Sequence, residues 1–208
     1  MIILFFVLNF VISWFNAWAV GRSWAESKHV GGWPHFMNWM GAIMAASGFT
    51  WCFLVLIGLG VHATGYLSEE YLKGFYELGY VVIIVPVLGS GLAITIDAWA
   101  HFWKKRTLGN GAVATYDTFA QVYNTYQAVE ALPGISKHLG ALFDVDDDDD
   151  AKAKVVMLMV VLVVLAAAAG IFLTVLIVRS TARNHALEAM YDAPEPERIR
   201  HRQSRKYA

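Results

Sequence analysis

Four stretches of this chain, residues 1–21, 30–68, 78–96 and 155–178, contain no Asp, Glu, Lys or Arg. About 20 consecutive apolar residues carry a helix across a ~30 Å hydrocarbon core. A helix is also the simplest segment that satisfies its own backbone groups in lipid. The expected fold is therefore an all-α integral membrane protein, multi-pass, with four transmembrane helices. Composition agrees, since only 16% of the residues are charged and 57% are apolar, whereas an ordinary soluble domain carries roughly 25% charged residues. So little chain is left outside the bilayer that any chemistry must sit between helices or in the loops.

The first stretch contains Ala17-Trp18-Ala19, the small-x-small form of a signal cleavage site, but no positively charged segment precedes it, so it reads as a retained helix. Asn9, Ser13 and Asn16 recur at spacings of four and three and share one helix face. That face is expected to look inward, as a polar packing seam. The loop that follows, Arg22 to His35, holds Trp24, Gly31, Gly32, Trp33 and Pro34 and suits the membrane interface.

Small residues recur at helical spacing in the later spans: Gly41, Ala45, Gly48 and Cys52 in the second, Gly89 and Ala93 in the third, Ala166, Gly170 and Thr174 in the fourth. Such strips let a neighbouring backbone approach closely, so Gly41, Ala45, Gly48, Gly89, Ala93, Ala166 and Gly170 are expected helix-packing positions. Cys52 is the sole cysteine and cannot form an intramolecular disulfide.

In the third span the small strip runs on, four residues at a time, into Asp97 and His101, next to Lys104, Lys105 and Arg106. An ionisable residue at the membrane is a functional hypothesis by default. A carboxylate and an imidazole one turn apart point the same way, so Asp97 and His101, joined by His35 from the same membrane surface, form a candidate metal site. Pairing of Asp97 with Lys104, or its orienting of His101, explains the same residues without a metal. Haem would need two histidines at similar depth on facing helices; only His35 with His101 pair so, and neither lies deep in the bilayer, so haem is not expected. Pro86 with Gly89 and Gly91 can kink or unwind this span, as happens at transporter binding sites. Otherwise no cofactor is expected.

From Ala112 to Leu132 the chain turns amphipathic. Tyr116, Phe119, Tyr123 and Tyr126 recur at helical spacing, with Asp117, Gln121, Asn124 and Glu130 on the other side. An interfacial helix between the third and fourth spans is expected, its aromatic face docking against a partner. Leu132-Pro133-Gly134 should end it, with a second short piece from Ile135 to Phe143. Asp144 and Asp146 to Asp150 form an acid run without the Gly and Glu of an EF-hand loop, and read as a solvated spacer. The tail is basic, with Arg198, Arg200, Arg202, Arg205 and Lys206, a cluster suited to anionic lipid or an acidic partner.

The expected organisation is a three-helix membrane region over 1–106, an amphipathic loop with the acid run over 107–151, the fourth helix and its extension over 152–190, and the basic tail over 191–208. Four crossings place both termini on one side, and the basic residues of the two sides nearly tie. Cytoplasmic termini are the expectation. No nucleophile–base pattern, phosphate-binding glycine loop or cysteine metal motif appears, so enzyme activity has no support. The expected function is a non-enzymatic structural or assembly subunit of a multi-chain membrane complex, associating with copies of itself or other subunits through the small-residue helix faces and the aromatic amphipathic helix; the alternatives are a transport, pore or metal/redox subunit using Asp97 and His101, and a membrane-permeabilising protein.

Overall fold

The computed structural model describes residues 2–27, 31–144 and 150–192. These form five helices in chain order, α1 (Ile2–Ser27), α2 (Trp33–Thr64), α3 (Glu69–Lys104), α4 (Leu108–Phe143) and α5 (Asp150–Asp192), with no strand among the described residues. Lys28, Asp146 to Asp149 of the acid run and the basic tail lie outside the described residues. Three helices, α2, α3 and α5, are long and apolar enough to cross a membrane.

Local chemistry sets most of the helix ends. Gly32, with φ 83°, precedes α2, where Pro34 occupies a first-turn position that has no use for an N–H. Gly65, with φ 65°, ends α2 in the left-handed conformation and returns its N–H to the His62 carbonyl at 3.1 Å. The Ser68 hydroxyl accepts the Tyr71 N–H, and Glu69 and Glu70 follow in the first turn of α3, where the helix dipole favours them. Thr107 caps α4 in the same way, taking the Asn110 N–H at 3.2 Å.

Successive helices run in opposite directions. Trp33 at the start of α2 meets Asp97 near the end of α3, and His185 on the last turns of α5 meets Glu26 on the last turn of α1 at 3.0 Å. At the other end, Leu142 of α4 and Met159 of α5 converge over Gly74 of α3. One end of the bundle therefore gathers Arg22, Lys104, Lys105, Arg106, Arg179 and Arg183, and is called the basic end here. The opposite, acidic end gathers Glu69, Glu70, Glu77, Asp144 and Asp150 with Lys73, Lys137, Lys152 and Lys154.

α2 is the centre of the packing, with α1, α3 and α5 around it. Ala17, Ala45, Phe49 and Ile177 form one dry cluster among α1, α2 and α5. Leu54, Phe75, Met159, Val163 and Ala166 form a second among α2, α3 and α5.

α4 departs from the sequence expectation in two ways. It is a single helix through Pro133 and not two pieces broken there. A proline inside a helix costs about 3 kcal/mol, and the turns beyond it are anchored from outside: His138 is bonded to Glu77, and Leu142 is buried over Gly74. It also runs antiparallel along α3, with Thr118 opposite Trp99, Gln121 opposite Leu88 and His138 opposite Glu77. An interfacial helix would lie across the ends of the spans. This one lies beside a span for its whole length.

Candidate functional site

The i, i+4 spacing of Asp97 and His101 does bring the two side chains together. His101 Nδ1 lies 3.2 Å from Asp97 Oδ2 and 2.9 Å from the Asp97 carbonyl oxygen. The second carboxylate oxygen accepts the Trp33 indole N–H at 2.5 Å, so Asp97 also ties α3 to the start of α2. His35 does not join them. Its Nε2 accepts the Trp39 indole N–H at 3.2 Å, and its ring packs 5.0 Å from that of Trp24. Among the described residues no group of three or more His, Cys, Asp or Glu side chains is placed to hold a metal ion. The pair opens instead on a cavity of about 270 Å³ whose far wall is Asn110 and Asp117 of α4.

Asp117 leads to a larger feature. A groove of about 460 Å³ lies among α1, α2, α3 and α4 at the middle of the bundle. The α1 face expected to look inward lines it, with Asn9, Ser13 and Asn16, and α2 adds Ser47. Tyr80 and Thr95 come from α3, while Asp117, Gln121 and Asn124 come from α4. α1 and α4 face each other across it without packing together. Its volume far exceeds the ~30 Å³ share of one liquid water, and its polar groups offer the several partners a water needs.

Hydrogen bonds to α3 hold the α4 wall in register. Gln121 Nε2 donates to the Leu88 carbonyl at 3.0 Å and Trp99 Nε1 to Thr118 Oγ1 at 2.9 Å, while Thr95 Oγ1 shares its proton between the Gly91 carbonyl of its own helix at 2.8 Å and the Asp117 carbonyl at 3.3 Å. Gly91 makes the Gln121 contact possible, because a Cβ there would stand 2.2 Å from Gln121 Oε1. That oxygen is buried with no hydrogen-bond partner among the described residues. α4 thus turns Asp117, Gln121 and Asn124 inward to the groove and much of its apolar and aromatic face outward, with Glu130 exposed beside Val129. Tyr116, Phe119, Tyr123 and Tyr126 are 61–71% exposed.

The small-residue positions fall mostly within the chain's own seams. A Cβ on Gly170 would lie 2.7 Å from the Thr50 nitrogen and 2.9 Å from the Ala46 oxygen, a close backbone approach of α5 to α2. Gly41 sits under Val20 and Gly48 under Ser13, both on α1. Ala45, Ala93 and Ala166 are buried. Gly89 is exposed and meets nothing; Gly91, two residues on, faces α4 in its place.

Two features carry no signal in the sequence. The Glu77–His138 pair joins α3 to α4 at the acidic end, with side chains only 14% and 23% exposed, and Lys73 Nζ approaches Glu77 at 3.8 Å. Its members are 61 positions apart in the chain, so no local spacing marks it. That Asp117 and the α1 amides line one groove is equally non-local. Comparison with family models, with curated proteins and with solved structures finds no match to this chain.

Proposed function

We propose that this chain is a membrane transport or pore subunit, in which the polar groove among α1, α2, α3 and α4 carries water and a small hydrophilic species. One observation carries the reading. The groove concentrates hydroxyls, amides and a carboxylate at the mid-depth of three apolar spans, where uncompensated polar groups cost free energy unless they line a wet cavity or find partners. The small-residue strips favour this over a purely structural chain, since all of their positions but Gly89 find neighbours within the same chain.

In this reading α1 and α4 cross the bilayer beside the three long apolar spans, giving five crossings and termini on opposite sides. Inverted amphipathicity supports the placement of α4, since Val113, Phe119, Val122 and Val129 are all exposed. Five crossings also remove the tie in basic residues. Only Lys73, Lys137, Lys152 and Lys154 belong to the acidic end, and every other Lys and Arg lies at the basic end or in segments that continue from it in sequence. The positive-inside rule then puts the basic end and the C-terminus in the cytoplasm.

The test is water access in the intact membrane. Ser47→Cys and Asn124→Cys, made in a Cys52→Ala background, are expected to react with a small charged thiol reagent. Val164→Cys, on the exposed face of α5, is expected to stay unreacted. Groove cysteines as inert as Val164→Cys would overturn the passage.

A second reading concerns assembly. Tyrosine hydroxyls both donate and accept, so the α4 face of Tyr116, Tyr123 and Tyr126 can satisfy itself across a two-fold axis with a second copy. Tyr123→Cys should then give a disulfide-linked dimer in membranes, whereas a monomer would leave this face to lipid.

A further inference from the structure

Both ends of the α3–α4 seam carry an acid–imidazole pair, Asp97 with His101 and Glu77 with His138, and the voids between them share walls. Asp117 and Ile94 line both the small cavity at Asp97–His101 and the central groove. Tyr80 lines both the central groove and a shallower cleft of about 400 Å³ that reaches Glu69, Lys73 and Glu77 at the acidic end. Asp117 and Tyr80 therefore stand at the two junctions of a path along the length of the bundle.

The junctions decide what such a path suits. The three voids are separate volumes with side chains as their shared walls, so a metal ion with its hydration shell finds no continuous channel. A proton needs less: water in each void, and at each junction a side chain that accepts a proton on one side and releases it on the other. The Asp117 carboxylate does so at one junction, and the Tyr80 hydroxyl, donor and acceptor at once, does so at the other. From α3, Asp97 and His101 face Asp117 across the small cavity; α4 itself adds Tyr116; α1 and α2 contribute amides and hydroxyls but no charge. No Lys or Arg lines the central groove. Chains of Asp, Glu and His inside a membrane are the residue types of proton relays.

We infer that Asp117 is the exchange group of a proton path from Asp97–His101 at the basic end to Glu77–His138 at the acidic end. A hydronium in one void gives its proton to the carboxylate and becomes water, and the carboxyl then gives one proton to a water in the next void, which becomes hydronium as the carboxylate is restored. Tyr80 accepts one proton while donating its own. Nothing is oxidised or reduced, and net transfer is one positive charge down its electrochemical gradient. This inference rests on the passage reading and narrows its solute to the proton.

The experiment uses the full chain in phosphatidylcholine–phosphatidylglycerol liposomes holding a trapped pH-sensitive dye, with a potassium gradient and valinomycin setting the interior negative. Protein-dependent acidification is expected. Asp117→Asn should slow it at least tenfold, Asp117→Glu should retain most of it, and Tyr80→Phe should lower it severalfold. Each variant must elute as the parent does and keep Asn124→Cys reactive to count. Should Asp117→Asn fail that check, infrared spectra of the parent and Asp117→Glu across a pH step decide, a protonated-carboxyl band being expected in both. Acidification no faster than in empty liposomes, an equal rate in folded Asp117→Asn, or sodium flux matching proton flux would each overturn the inference. If groove cysteines still react while protons do not move, the passage stands and only the proton is lost.

Discussion

The seam between α2 and α5 and the seam between α3 and α4 are both built on a glycine under a close neighbour, yet one is dry and the other polar. Gly170 lets the α2 backbone itself approach, with Thr50 and Ala46 above it. Gly91 instead makes room for the Gln121 side chain, which reaches over it to the Leu88 carbonyl. Removing a Cβ thus serves two ends: in the first seam it brings two backbones together, and in the second it seats an amide that holds a polar helix against an apolar one. A stripe of small residues does not by itself say which.

The largest effect should follow from filling the dry seam. Gly170→Leu drives its side chain into backbone that cannot turn aside, and overpacking of this kind costs about 1–3 kcal/mol or more. Loss of the monodisperse, detergent-extracted protein, or a large fall in its thermal midpoint, is expected. Gly89→Leu, at an exposed position with open space around it, should leave the midpoint unchanged or raised, because glycine is about 1 kcal/mol worse than alanine in a helix. Equal damage from the two substitutions would mean that proximity at Gly170 does not control this seam.

The polar seam should yield less and more locally. Gln121→Leu removes the bond to Leu88 along with the buried unpartnered oxygen, and interhelical hydrogen bonds in membranes contribute roughly 0.6–1.7 kcal/mol. Faster hydrogen exchange in the first half of α4, with α2 unchanged, is the expected result. Uniform change across all five helices would show that α4 is not a separable wall.

Those features of the fold that are legible in the amino-acid sequence are the local ones. Runs without charge at 30–68, 78–96 and 155–178 locate the three helices long and apolar enough to cross a membrane, because a span's hydropathy belongs to the span alone. Spacing places Asn9, Ser13 and Asn16 on one inward face, and Asp97 with His101 likewise. What they face is not written in any spacing. The groove needs α4 laid along α3, and that depends on Gly91, Gln121 and the Glu77–His138 pair, whose partners are dozens of residues apart. Pro133 misleads for a related reason: its cost is a local quantity, and the packing of Leu142 that outweighs it is not.

The two acid–imidazole pairs refine the comparison at a smaller scale. Glu77–His138 joins two helices and is mostly buried, so Glu77→Gln should loosen the last turns of α4, seen as added proteolysis near Phe143. Asp97 and His101 sit on one helix, and the His101 side chain is 64% exposed. A pair on one helix face fixes no second element in place, and exposed i, i+4 pairs are worth about 0.3–0.5 kcal/mol. His101→Ala should therefore lower the thermal midpoint by less than Gln121→Leu does, because Asp97 keeps the Trp33 indole as its partner from α2. A loss as large as that of Gln121→Leu would mean that the imidazole holds α3 against α2 or α4 after all, and that the two ends of the seam are built alike.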